Sequence, residues 1–257
     1  MQFEAHIPSY RLSPFIRKYL IIESEQELVN RILPDTSLVM AFRFKGQVSH
    51  LTGDSKNELA TSIISGLRKS GRLINYSNNT GNILVIFKEA GAQAFVKEPL
   101  HEFFEKSIAL NDIDGYRNIS ILEEKMEAAE SNKQRIDCIE QFLLAKLYSH
   151  KQDQLIAAAV EKIYQQKGLT RIKDLVQSLY ISQDAFEKRF RKTTGTSPKQ
   201  FSSIVRMKSI IHQQRHNQTL TGLAFDGGYF DQPHFNKEFK IFTGQTPGDF
   251  FKTPPRW

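Results

Sequence analysis

The side chains best suited to recognising a partner fall into two sets: Gln183, Asp184, Glu187 and Lys188, then Gln232, Asn236 and Lys237. Glutamine and asparagine can bond an adenine edge twice, lysine can donate to guanine O6 and N7, and a carboxylate can accept from a cytosine amine. Around them stand cations and hydroxyls of the kind that meet phosphate: Arg191, Lys192, Ser197, Lys199 and Arg206, then Lys240 and Thr246. No nucleophile motif, phosphate-binding loop, Gly-x-Gly-x-x-Gly fingerprint or set of paired metal ligands accompanies them. Neither catalysis nor a cofactor nor a metal is expected. Any surface helix is polar on its outer side, so one such set alone would leave base contact undecided.

The two sets, however, occupy a repeat. SQDAFEKRFRKTTGTSPKQF from Ser182 and DQPHFNKEFKIFTGQTPGDF from Asp231 align without a gap, sharing Gln, Phe, Lys, Phe, Thr, Gly, Pro and Phe at matching places. Before the first copy, Ile172, Leu175, Val176 and Leu179 mark one apolar helix face. Ser182 then suits an N-cap, Phe186 and Phe190 lie four apart on the next helix, and Gly195 suits its left-handed end. The second copy has the same grammar: Leu220, Leu223 and Ala224, the turn Gly227-Gly228, the cap Asp231, Pro233 in the first turn, then Phe235 and Phe239. Two helix-turn-helix units in one register suit a duplex, whose grooves recur periodically.

Charge separates the chain into two parts. Residues 155–257 hold 16 Lys and Arg against 8 Asp and Glu, whereas residues 1–154 hold 19 against 20. The basic excess therefore coincides with the repeat, as expected of a phosphate-binding domain joined to one with another task.

The segment from Ile172 to Phe251 resembles the DNA-binding domain of the AraC/XylS family of bacterial transcription regulators. The matching stretches are GTSPKQF (Gly195–Phe201), Gly228-Tyr229, DQPHF (Asp231–Phe235), Phe239-Lys240 and TGQTPGDF (Thr243–Phe250), about 80 residues in all. The resemblance implies two helix-turn-helix units joined by a long helix, here from Pro198 to about Arg215, with Phe201, Ile204, Val205 and Ile211 as its buried stripe. It carries base reading to Gln183, Asp184, Glu187, Lys188, Gln232, Asn236 and Lys237. This chain has Lys188 and Lys237 where the family usually has arginine, which favours phosphate contact over the planar guanine fork.

Between Phe3 and about Leu110 the hydrophobic period shortens to two, as in Leu38-Met40-Phe42-Phe44 and Ile83-Val85-Phe87, with breaks at Pro34-Asp35, Gly46, Gly53, Gly71 and Asn78-Asn79. Strands are expected there, then a helix from about Pro99 through LHEFFEKSIAL. This order resembles the cupin-like sensor domain that often precedes an AraC-type reader, through ILPD (Ile32–Asp35), ISG (Ile64–Gly66) and Val85–Phe104, although Lys88-Glu89-Ala90-Gly91 departs from the usual Lys/Arg-Pro-Gly run. Phe42, Phe44 and Phe87 then either line an effector pocket or belong to ordinary core. Residues 117–150 read as helical throughout, packed on the sensor or forming a dimer seam. Cys138, the single cysteine, is read as a small core residue and excludes an intrachain disulfide.

The fold class expected is α+β multidomain: a cupin-like β-rich barrel over residues 1–115, a helical linker or dimerisation segment over 116–152, and an all-α double helix-turn-helix domain over 153–257. No stretch approaches a membrane span and the N-terminus lacks an apolar signal core, so a cytoplasmic protein is expected. Double-stranded DNA is the expected partner; a small-molecule effector, RNA polymerase and a second copy of the chain are compatible with it. Two readings stay open: control by an effector at the N-terminal domain, or an N-terminal domain serving only dimerisation or protein contact.

Overall fold

A computed structural model describes residues 1–148, 153–213 and 219–252. The N-terminal part is β-rich and the C-terminal part helical, as the sequence implies. Ten strands come first: β1 (Gln2–His6), β2 (Ile16–Ser24), β3 (Leu28–Ile32), β4 (Val39–Lys45), β5 (Val48–Thr52), β6 (Ser55–Glu58), β7 (Ser62–Ser65), β8 (Arg72–Tyr76), β9 (Thr80–Phe87) and β10 (Ser107–Ala109). They form two antiparallel sheets, ordered β1-β2-β9-β4-β7-β10 and β3-β8-β5-β6. No ladder joins the two among the described residues.

Alternation along each strand decides which side chains go where. In the larger sheet Met40 pairs Val85 and Phe42 pairs Ile83, and these four point to a layer of helices, where all are buried. The residues between them, such as Ala41 opposite Leu84, face the smaller sheet. A second, smaller apolar cluster lies between the sheets, formed by Ile22, Val48, Ile74 and Tyr76.

The helical layer is α1 (Ser120–Ala128) and α2 (Asn132–Lys146). The segment 117–150, expected to be helical throughout, is thus interrupted between the two, and residues 149–152 lie outside the described residues. Ser131 and Gln134 form a reciprocal capping box that starts α2 afresh, and Arg135 bonds the Met126 and Ala129 carbonyls at the end of α1. The apolar faces, with Leu122, Met126, Ile136, Ile139 and Leu143, are buried within the chain, and Cys138 packs partly buried beside them. The helix expected after Pro99 is instead a 3-10 turn, Leu100–Phe103, then the short strand β10. Glu105 adopts φ 62, which ends helical winding, and Ile108 goes on to pair with Ile64 of β7.

Among the described residues seven further helices follow: α3 (Gln154–Gln165), α4 (Ile172–Ser178), α5 (Gln183–Thr194), α6 (Pro198–Gln213), α7 (Leu220–Asp226), α8 (Gln232–Thr243) and α9 (Pro247–Lys252). Their core is continuous with that of the helical layer on the larger sheet, so the two parts share one apolar interior.

Candidate nucleic-acid interface

The two halves of the repeat fold alike. In the first, α4 and α5 are joined by a short turn, and Ser182 Oγ accepts from the Ala185 amide at 3.4 Å. Phe186 and Phe190 are wholly buried with ring centroids 5.4 Å apart. Gly195 ends α5 at φ 91, a left-handed conformation that costs glycine little. In the second, α7 and α8 repeat the pattern: Asp231 Oδ1 accepts from His234 N at 2.7 Å, Phe235 and Phe239 are buried, and Gly244 closes α8 at φ 77. Even the interior hydroxyls match, Thr194 donating to Phe190 O at 2.9 Å and Thr243 to Phe239 O at 2.8 Å. Each buried phenylalanine contributes about 1.5–3 kcal/mol of transfer free energy, so the paired rings fix which side of α5 and α8 turns outward.

That outward side carries most of the residues expected to read bases. Gln183, Asp184, Lys188 and Lys237 are exposed, and Glu187, Gln232 and Asn236 are half-buried at its margin. The two glutamines are steered by neighbours: Gln183 donates to Glu187 Oε1 at 3.1 Å, and Gln232 Oε1 accepts from Thr221 at 2.8 Å. Asn236 Oδ1 is buried without a hydrogen-bond partner. Arg191, Lys192, Lys199 and Lys240 are exposed. Ser197 and Thr246 hold equivalent places as caps of α6 and α9, accepting from Gln200 N at 3.2 Å and Asp249 N at 3.3 Å.

Arg206 differs from the other expected phosphate contacts. It lies on α6 and donates to Glu238 Oε2 at 2.7 Å, with its guanidinium 4.3 Å from the Tyr229 ring centroid. Tyr229 donates to the same carboxylate oxygen at 2.7 Å, and burial together with that bond keeps its phenol protonated well above the ordinary range. Arg206 therefore fastens the second unit to the connecting helix rather than facing outward. That helix buries Phe201, Ile204, Val205, Met207 and Ile210; Ile211, expected in the stripe, is only partly covered. At about 1.5 Å per residue its 16 residues separate the units by about 24 Å. Residues 214–218, which include the expected end of the connector, lie outside the described residues.

The opposite ends of α5 and α8 rest on the N-terminal part. The end of α5 packs against the turn Leu100–Phe103, with Gly195 lying on the Leu100 carbonyl, Leu38 and Leu67. Gln93 Nε2 donates to Lys192 O at 3.1 Å. Near the end of α8, the Gly71 amide donates to Phe242 O at 2.9 Å, and Arg31 lies against Gly244. Lys208 of α6 pairs with Asp35 at 2.7 Å, and Tyr164 of α3 meets Thr36 at 2.7 Å and Glu89 at 2.5 Å. Glu89 also takes Arg17. The departure at Lys88-Glu89-Ala90-Gly91 thus supplies a second carboxylate of this junction beside Asp35, with Ala90 at φ 64 making the tight turn.

The N-terminal part contains a cavity of about 130 Å³ between its sheets, lined by Val39, Ala41, Ile74, Tyr76, Asn82 and Leu84 among others. Phe42, Phe44 and Phe87, the residues expected to line a pocket, do not line this one. Phe42 and Phe87 are buried on the helical side of the larger sheet, Phe87 against Phe95 at 5.4 Å, and Phe44 lies beneath the Arg135 guanidinium. Period two was right and the parity reversed: the odd-numbered residues of β4 face the second sheet. Sequence reading also passed over Arg68 and Arg72, which stand in the cavity wall. Their signal was available, since Arg72 shares strand parity with the inward Ile74 and Tyr76. Among the described residues no group of His, Cys, Asp and Glu is placed to hold a metal ion, and no helix is long and apolar enough to cross a membrane.

Two capped helix-turn-helix units on a basic helical domain, each presenting polar side chains from the start of its second helix, define a DNA-binding protein. Residues 175–253 match the family described as "Helix-turn-helix domain", and with the motifs above they form an AraC-type reader. The C-terminal part of the chain is thus a helix-turn-helix DNA-binding region of AraC type. Residues 4–109 match a family described as "Domain of unknown function (DUF6597)". In structure the chain is similar to ToxT from Vibrio cholerae, at 12% identity and a TM-score of 0.45, covering 99% of this chain and 100% of that one. It is also similar to the transcriptional regulator CdpR from Pseudomonas aeruginosa, at 15% identity and a TM-score of 0.31, covering 69% of this chain and 47% of that one. No curated protein matches it in sequence.

Proposed function

We propose that this regulator reads two successive major-groove segments with a single chain, and that a ligand in the N-terminal part controls how the two readers are held. The observation that carries this is the polarity of α5 and α8: each has side chains that suit base edges at its start, exposed on α5 and half-buried on α8, and rests on the N-terminal part at its end. Asp35, Leu67 and Arg68, which line the cavity between the sheets, belong to the loops that meet α6 and α5. Gly71, one residue before the lining Arg72, bonds the end of α8. A guest that moved those loops would thus move both readers. A change of state requires only that the guest prefer one arrangement over the other.

The readers differ chemically, Gln183-Asp184-Glu187 against Gln232-Pro233-Asn236, so the preferred site is asymmetric. Footprinting of the full chain on DNA selected from random fragments tests the reading. It expects two protected segments centred about 10 base pairs apart for each bound chain. A palindromic site filled only by two chains, one unit of each engaged, refutes it.

A further inference from the structure

The cavity between the sheets has a chemistry that DNA binding does not use. Its wall is largely aliphatic, yet Arg68 and Arg72 both stand in it. Among the described residues neither guanidinium has a carboxylate oxygen within 4.0 Å. Arg72 donates to Ser107 Oγ at 2.8 Å and Ser65 Oγ at 3.3 Å; Arg68 donates to Ser107 Oγ at 3.1 Å and to the Glu105 carbonyl at 3.0 Å. Glu105 acts on both from farther off, but it is exposed and its Oε1 takes the Lys69 amide. Burial, reinforced by the charge of Arg68, brings Arg72 down to about 10. Two adjacent, partly desolvated cations with no carboxylate in direct contact are unusual, because buried charges are normally paired.

The same wall holds further unmet polar atoms. Arg68 Nε has no hydrogen-bond partner, nor do the side-chain oxygens of Ser37 and Asn82, residues only 5% exposed. Ser70, the exposed member of the lining, is close in sequence to both arginines and puts the cationic end of the cavity toward solvent. The space, about 130 Å³, compares with the roughly 150 Å³ that accommodates one benzene ring. A long chain exceeds it, and a neutral sugar would leave the arginines unpaired.

We propose that this cavity binds a compact organic monocarboxylate, an aromatic acid or a short aliphatic one, with its carboxylate on Arg68 and Arg72 and its apolar body against Val39, Ala41 and Ile74. The proposal rests on reading the N-terminal part as the seat of control, and it names the ligand class for that seat. Arginine is the residue suited to the task, because its planar fork meets both carboxylate oxygens at once.

Calorimetric titration of the full chain with benzoate and hexanoate, against benzamide and hexanamide, tests it. The acids are expected to bind with a Kd on the order of 1 mM or tighter, and the amides at least about tenfold more weakly. Arg72→Met should bring the acids down to the affinity of the amides. Should that variant fail to fold, Ala41→Leu fills the apolar end without touching either arginine, and it should abolish binding of all four with the circular dichroism unchanged. Equal binding of acids and amides overturns the proposal, as does binding of none of the four by a chain that still retains its DNA site. An acid that binds in this way and leaves DNA affinity unchanged upholds the site while refuting its role in control.

Discussion

The steepness with which salt weakens DNA binding follows from counting which cations are free to meet phosphate. Lys188, Arg191, Lys192, Lys199, Lys237 and Lys240 are exposed, whereas Arg206 is engaged by Glu238 and stacked on Tyr229. Six phosphates neutralised give a slope of log affinity against log salt of about −5, so a rise from 50 to 200 mM should weaken binding about 10³-fold. Replacing Lys188 and Lys237 together by glutamine should bring the slope to about −3.6. Arg206→Gln should leave the slope near −5 and instead lower the stability of the folded chain by about 1–2 kcal/mol. The pair is part-exposed, with side-chain exposures of 21% and 33%, which keeps that figure below the value for a buried pair. Fluorescence anisotropy of a labelled duplex across that salt range measures the first, and urea unfolding the second. A wild-type slope shallower than about −2, or one unmoved by loss of both lysines, refutes the placement of the cations. A fall of about one in the slope of Arg206→Gln would put that guanidinium on phosphate after all.

Two further outcomes follow from single side chains. Gln183→Ala removes an exposed amide aimed by Glu187, and it should cost about 1–3 kcal/mol on the preferred site and almost nothing on random DNA; equal weakening on both would make Gln183 a backbone contact. Burial opposes ionisation of Asp35, but Lys208, the Thr36 amide and Arg17 outweigh it and hold the carboxyl below its ordinary range. A carboxylate so depressed stabilises the folded state above its unfolded pKa of about 3.9 and loses that contribution as the pH falls through its lower folded value. The Asp35–Lys208 contact should therefore persist through neutral and mildly acid pH and fail only below the ordinary carboxylate range. Asp35→Asn should show at neutral pH the faster amide exchange of α6 that the wild type shows only in acid; identical exchange in the two proteins at neutral pH would remove this ion pair from the junction.

What could be read from sequence was local. The caps at Ser182 and Asp231, the phenylalanine pairs and the closing glycines at 195 and 244 all depend on neighbours within a turn or two, and each is found where the spacing puts it. The engagement of Arg206 is not legible in sequence, because its partner, Glu238, lies 32 residues farther along and no pattern within α6 separates a fastening arginine from a phosphate-facing one. The parity of β4 was lost for a related reason: alternation reveals two faces, but only the second sheet decides which face encloses a cavity. The break at Ser131 was legible and overlooked, since Ser-x-x-Gln is a capping signature even inside a continuing apolar stripe. Glu105 gave no such sign, because nothing in its surroundings in sequence demands a positive φ.

The division of labour along α5 and α8 bears on how such a protein can change over generations. Each helix has 12 residues, about 18 Å, with Gln183 or Gln232 at one end and the glycine that rests on the N-terminal part at the other. Roughly three turns of helix lie between them, which is far enough for substitutions at the two ends to act independently. Under the function proposed above, lineages carrying this architecture would acquire new target genes by altering the first two turns while keeping the stimulus to which they answer, or keep their targets and take up a new stimulus. The same proposal implies a route to retargeting by hand: exchange of residues 183–188 as a cassette, with Gly195 and its seat on Leu38 and Leu67 left as they are, should alter the site read.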